Sequence, residues 1–183
     1  MKKIIKLALV LFLIAAIVAG VLGVVNELTK DRIAQIAAKK TAEAYAEVLK
    51  AETYDDAKYE GKDTKVQKVS VAKDKDGNAI GYVVETVVTG SQGSITVIVG
   101  VDNDLKCTGI SITDSSETSG LGAVASSPSD KGVAFRANFV GQGKDLDLTK
   151  NGGERDQLTG ATITSTAVVT AVRSAITACE SLG

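Results

Sequence analysis

The hydrophobic pattern changes character along the chain. Residues 7–25 form 19 consecutive positions with no charge and no strongly polar group. A helix of that length rises roughly 28 Å, about the hydrocarbon thickness of a bilayer, and satisfies its own backbone amides. Over residues 26–52 the apolar positions Leu28, Ile33, Ile36, Tyr45, Val48 and Leu49 recur at three- and four-residue steps among charges, which predicts a further helix. From about residue 65 β-branched residues take over. Runs at 66–71, 80–88, 95–101 and 105–112 predict strands. The punctuation between them is turn chemistry: Asp74-Lys75-Asp76-Gly77-Asn78, Gly90-Ser91-Gln92-Gly93 and Asp102-Asn103-Asp104. Such short gaps imply antiparallel hairpins. Residues 133–140 carry a short amphipathic pattern. Residues 165–181 predict a closing helix, with Val168, Val169, Val172, Ile176 and Cys179 on one side. The expected fold class is α+β, a single N-terminal transmembrane helix followed by an antiparallel sheet with packed helices. The expected organisation is a membrane anchor over 1–25, a helical connector over 26–60 and one compact domain over 61–183.

Charge sharpens the reading of the first segment. Lys2, Lys3 and Lys6 precede the apolar run, and no acid accompanies them. A cleaved signal peptide would share that basic start, and Val18-Ala19-Gly20 offers small residues for a cut. The apolar run, however, exceeds the roughly 7–15 residues of a signal core and continues to Val25. An uncleaved single-pass anchor in the cell membrane is therefore expected. No Cys follows the run, so a lipidated cysteine is not. The leading lysines place the N-terminus in the cytoplasm and the main domain outside. Ala15, Ala19 and Gly23 are spaced for close packing against a partner helix, although an Ala/Gly-rich span gives such spacing by chance.

Composition excludes several chemistries. The 183 residues include no His, no Trp and two Cys, and the 21 basic and 22 acidic groups leave a net charge of −1. Without His there is no Ser-His-Asp triad, no Cys-His dyad and no His-ligated zinc. Two thiols cannot fill a four-thiolate cluster. An electron carrier here needs an organic cofactor or one held by a partner. The balanced charge gives no nucleic-acid footprint. Asp74-Lys75-Asp76-Gly77 begins like a calcium loop but lacks the closing Glu, so a hairpin turn is expected and no metal site. Cys107 and Cys179 are open to two readings, a disulfide outside the cytoplasm or two buried thiols. The four tyrosines read as packing or rim residues. No catalytic acid–base set is evident.

Two segments could carry chemistry. In Ser116-Glu117-Thr118-Ser119-Gly120-Leu121-Gly122 the glycines let backbone approach a ligand closely. Read plainly, it is a Gly-rich surface loop. In Asp156-Gln157-Leu158-Thr159-Gly160-Ala161-Thr162-Ile163-Thr164-Ser165, four hydroxyl residues surround Gly-Ala just before a helix, where free amides and the helix dipole favour an anion. Read plainly, it is a capped helix, with Thr164 or Ser165 as the N-cap.

The second segment resembles the flavinylation motif of FMN-binding domains. That motif runs Asp, two variable residues, Ser/Thr, Gly, Ala, Ser/Thr, a variable residue, then Thr/Ser. The resemblance implies covalent FMN, joined through its phosphate to Thr164. Glu117, Thr118, Gly120, Leu121 and Gly122 are similar to the family's flavin-contact loop, with Ser119 where Pro is usual and no His ahead of the Glu-Thr pair. The resemblance also assigns cofactor contacts to Thr159, Gly160, Ala161, Thr162 and Ser165, and recognition by a flavin transferase to Asp156. It covers about residues 80–175. Within the family the chain looks most like the G subunit of Rnf ion-translocating electron-transport complexes, related to the C subunit of the sodium-pumping NADH:quinone reductase. That resemblance implies an electron carrier between ferredoxin and NAD, with other membrane subunits as partners and a flavin transferase for maturation. A Thr hydroxyl is a poor nucleophile without a base, which agrees with a separate enzyme using FAD and magnesium. Two alternatives stay open: a stand-alone anchored flavoprotein or shuttle serving another extracytoplasmic reductase, and an anchored binding domain without redox chemistry.

Overall fold

A computed structural model describes residues 2–182. The chain divides into two compact units, with the division between Lys40 and Thr41. The first unit is helical and belongs to α1, which runs without interruption over Lys2–Val48. Its apolar side chains are exposed throughout, from Ile4 to Ile36. This helix is long and apolar enough to cross a membrane. Exposure of that many large aliphatic residues to water would be costly, and a bilayer removes the cost.

The second unit begins with the last turns of α1 and contains a five-stranded antiparallel sheet in the order β1-β2-β3-β4-β5. The strands are β1 (Thr53–Ala57), β2 (Val66–Lys73), β3 (Ala79–Thr89), β4 (Ser94–Asp102) and β5 (Cys107–Ser115). The order is sequential because each connection is a short antiparallel return. In the β2–β3 turn, the Asp74 carboxylate accepts from the Asp76 and Asn78 amides at 2.9 and 2.8 Å, and Gly77 takes a positive φ of 81°. The aspartate that begins like a calcium loop therefore serves the turn itself.

Helices cover both faces of the sheet. Side chains alternate along a strand, so neighbours serve opposite faces. Val83 and Ile98 pack with Ala44, Tyr45 and Val48 of α1 on one side. Val84, Val97 and Val99 pack on the other against Val168, Val172 and Ile176 of α3 (Thr162–Glu180), together with Phe135 of α2 (Asp130–Ala137) and Phe139. Double coverage explains why β4 is apolar almost without a break. The end of α1 sits very close to the sheet. Thr108 donates its hydroxyl to the Val48 carbonyl at 2.6 Å, and Gly100 leaves the space: a Cβ there would lie 2.5 Å from that same oxygen.

The elements differ from the sequence expectation in two places. The stretch expected as a helical connector over 26–60 is helix only to Val48, and its residues 53–57 form edge strand β1. β1 pairs with β2 from Thr53↔Lys73 to Ala57↔Val69. α3 starts at Thr162, three residues earlier than expected. Of the two cysteine readings, the thiol one holds: Cys107 and Cys179 are both free and buried. α3 is also apolar enough for a membrane span by composition, but 67% of that window is buried in the domain.

Candidate functional site

The site grows from the register of β4 and β5. Ile95 at the start of β4 pairs with Ser115 at the end of β5. The chain leaving β5 therefore emerges beside the turn between β3 and β4. That turn, Gly90-Ser91-Gln92-Gly93, is closed by the Gly90 amide donating to the Gly93 carbonyl at 2.7 Å. Its two central amides point at Glu117. Ser91 and Gln92 donate to Glu117 Oε1 at 2.7 and 3.0 Å.

The other carboxylate oxygen faces α3. Thr164 donates its hydroxyl to Glu117 Oε2. The two residues are 47 apart in sequence, and both are buried: Thr164 is 1% exposed and Glu117 is 8%. Two glycines make this packing possible. A Cβ on Gly90 would lie 2.4 Å from Glu117 Oε1, and one on Gly122 would lie 2.3 Å from Glu117 Oε2 and 2.6 Å from Thr164 Oγ1. Burial pushes the Glu117 carboxyl up, but hydrogen bonds from Thr164, Gln92 and Ser91 outweigh it and hold the group below the usual carboxylate range.

A cavity of about 270 Å³ opens onto this pair, lined by Ser91, Glu117, Thr118, Leu121, Gly122 and residues 160–164. Its floor is the start of α3. The N-cap position is Ala161, and no side chain caps the helix. The expected capping role of Thr164 or Ser165 is therefore corrected: both lie inside the helix. The Ser165 hydroxyl accepts from the Leu158 amide at 3.0 Å and donates to the Ala161 carbonyl at 2.9 Å, so it ties the approach loop to the first turn and does not line the cavity. The amides of Thr162, Ile163 and Thr164 have no carbonyl within the helix to reach. Together with the helix dipole they favour an anion at this end of the cavity.

A second cavity of about 380 Å³ lies alongside and shares Leu121. Gly120, Asp156 and Thr159 line it, together with Lys131, Phe135 and Asn138. Gly160 bends the chain between the two groups with a φ of 74°, and its Cα side lies against Leu121, where a Cβ would be 3.1 Å from the leucine Cδ2. The structure thus gathers both motif segments at one end of the domain. Glu117, Thr118, Gly122, Gly160, Ala161, Thr162 and Thr164 meet in the first cavity, and Asp156 and Thr159 stand in the second. Asp156 is exposed and accepts from the Thr149 hydroxyl at 3.4 Å. Leu121 and Ile163 are exposed apolar side chains on the rim of the first cavity, at 46% and 60%.

Sequence reasoning missed the Ser91 and Gln92 amides as partners of Glu117. The four-residue turn was visible, but contacts through backbone amides leave no side-chain signature. It also missed Lys131 and Asn138, which lie on and just after a helix with an unremarkable pattern.

Comparison with known proteins bears on this geometry. Residues 90–177 match the FMN-binding domain family, a span that includes both cavities' main segments. Residues 1–48 match the RnfG N-terminal region. The G subunit of the ion-translocating oxidoreductase complex from Methanosarcina acetivorans is 34% identical over 181 residues, which is 96% of this chain and 94% of that protein. The protein of the same name from Salmonella typhi is 34% identical over 196 residues, 100% of this chain and 94% of that protein. The G subunit of the Na(+)-translocating ferredoxin:NAD(+) oxidoreductase complex from Acetobacterium woodii is 32% identical, over 99% of this chain and 94% of that protein. Among solved structures, the C subunit of the Na(+)-translocating NADH-quinone reductase from Parabacteroides distasonis matches with a TM-score of 0.47 and 27% identity, over 61% of this chain and 59% of that one.

Proposed function

The chain belongs to the family of G subunits of ion-translocating oxidoreductase complexes, and on that premise we propose that it carries electrons within such a complex through FMN esterified to Thr164. The observation that carries the reading is the convergence at Thr164. Its hydroxyl, the uncapped amides of α3 and the 117–122 loop face one cavity, inside the span that matches the FMN-binding domain.

The residues present fit a phosphate-linked flavin. The first-turn amides of α3 suit a phosphate, and Thr164 Oγ1 stands beside them as the ester oxygen. Thr118, Leu121 and Gly122 offer one polar and two small or apolar contacts to a ring, and Leu121 leads into the second cavity. FMN, when bound, supplies a ring that takes up and passes on electrons. The surrounding hydrogen bonds and packing, not the ester, would tune its potential. The ester's contribution is retention, which matters for a domain outside the cytoplasm.

The remaining assignments follow from the same reading. The exposed apolar helix anchors the chain in the cell membrane, with its leading lysines in the cytoplasm and the FMN domain outside. Other membrane subunits of an Rnf-type complex, acting between ferredoxin and NAD, are the partners. A flavin transferase using FAD and magnesium installs the cofactor and reads Asp156, which is exposed at the entrance to the motif.

Expression with a flavin transferase tests the reading. On a denaturing gel under ultraviolet light the wild-type chain gives a fluorescent band and Thr164→Ala gives none. A dark wild-type band, beside a control acceptor that the same transferase labels, refutes it.

A further inference from the structure

We propose that Glu117 is the proton acceptor that readies Thr164 for its modification, so that the chain being modified supplies one catalytic group to its own flavin transfer. The proposal rests on the reading of Thr164 as the attachment residue. It deepens that reading by dividing the chemistry: the transferase brings the flavin dinucleotide and metal, and this chain brings both nucleophile and base.

The geometry is specific. Glu117 Oε2 already accepts the Thr164 hydroxyl proton in a hydrogen bond. With that proton directed at the carboxylate, the remaining lone pairs of Oγ1 are free for the cavity that both residues line. The carboxylate is fixed from its far side by the Ser91 and Gln92 amides at 2.7 and 3.0 Å. Gly90 and Gly122 close on it so tightly that a Cβ at either position would fall within 2.4 Å of its oxygens. A glutamate needed only to tie loops together does not need its second oxygen aimed at a threonine on a cavity wall.

The step balances as follows. Thr164 Oγ1 attacks the flavin-side phosphorus of the dinucleotide's pyrophosphate. The Oγ1–P bond forms, the bridging P–O bond breaks and AMP leaves. The hydroxyl proton passes to Glu117 Oε2, and no electrons change hands. Phosphoryl transfer with a loose transition state asks for positioning more than for basicity, and carboxylates serve as the hydroxyl's proton acceptor in protein kinases. Glu117 is held below the usual carboxylate range, so it is ionised but weakly basic, and its part is to orient the hydroxyl and take the proton as the Oγ1–P bond forms. The carboxyl then releases the proton to solvent through the cavity and returns to its ionised form.

The test uses the full apo chain with flavin transferase, FAD and magnesium, following in-gel flavin fluorescence and AMP release. Wild type and Thr164→Ala come first. Label on the wild-type peptide that carries Thr164, absent in the variant, secures the attachment. An unlabelled wild type overturns the attachment and this proposal together. With the attachment secured, Glu117→Gln is expected to lower kcat for transfer by about 100-fold or more, the usual share of a general base. KM for the chain should be unchanged. Glu117→Asp, which keeps the charge and withdraws the oxygens by one methylene, should give an intermediate kcat, and it carries the test should the Gln variant fail to fold. Wild-type kcat in these variants, or a loss that falls wholly in KM with a lowered thermal midpoint, overturns the proposal while Thr164 stands as the attachment residue.

Discussion

Substituting Gly122 by Ala probes the packing at the centre of the site. Gly122 is not in the left-handed region, so alanine is allowed there by the backbone, and the effect is one of contact. The new Cβ would lie 2.3 Å from Glu117 Oε2, 2.6 Å from Thr164 Oγ1 and 2.9 Å from Glu117 Cβ. A carboxylate is normally the movable end of a flexible side chain. This one is held by the Ser91 and Gln92 amides on one oxygen and by Thr164 on the other. Relief therefore breaks a charge-assisted hydrogen bond, worth about 1.5–3 kcal/mol, or shifts a loop at the similar cost of overpacking, about 1–3 kcal/mol. We expect a loss of about 2 kcal/mol, which lowers the thermal midpoint by about 4–8 °C for a domain near 150 residues. Circular dichroism of the full chain in detergent measures it. The same substitution made on Glu117→Ala should cost less, by about 1 kcal/mol, because the principal clash is gone. A wild-type midpoint in Gly122→Ala, or costs that simply add in the double variant, would refute the reasoning.

Three further outcomes follow. Glu117 is depressed in the folded state, so its stabilisation is complete above the unfolded pKa of about 4.3 and is lost as pH falls through the lower folded value; Asp63, Asp74 and Asp147 are depressed as well, so the comparison is the wild-type stability curve minus that of Glu117→Gln, which should shrink as acid is added, and a constant difference down to the acid transition would refute it. Burial pushes the Cys107 and Cys179 thiols up to about 12, so a maleimide should leave the folded chain unlabelled at about pH 8 and modify both thiols after denaturation; labelling of the folded chain would refute it. Gly100→Ala should loosen the end of α1 from the sheet, because its Cβ would meet the Val48 carbonyl and the Thr108 hydroxyl at 2.5 and 2.3 Å; faster amide exchange at 44–49 measures it, and unchanged exchange would count against the tight docking.

Much of the fold was legible because its signals are local. β2 to β5 announce themselves through β-branched runs and turn residues, and the N-terminal apolar helix through its uncharged run over residues 7–25. β1 did not. Thr53-Tyr54-Asp55-Asp56-Ala57 is an edge strand with mostly exposed side chains, held by pairing with β2 and not by an apolar pattern. The start of α3 was misplaced for a related reason. Thr164 and Ser165 look like caps, but their hydroxyls turn inward to Glu117 and to the Ala161 carbonyl, and tertiary bonding outcompetes the local capping preference. At the site, the motif named Thr164 and Glu117 separately. Their hydrogen bond across 47 residues depends on the pairing of Ile95 with Ser115, which no sequence spacing encodes.

The central claim is an ester between FMN and Thr164. Its most direct test is the intact mass of the full chain matured by a flavin transferase, followed by fragmentation of the peptide that carries Thr164. The account predicts a gain equal to FMN less one water, located on Thr164 and absent from Thr164→Ala. An unmodified chain, or the same gain located on another residue, would contradict it.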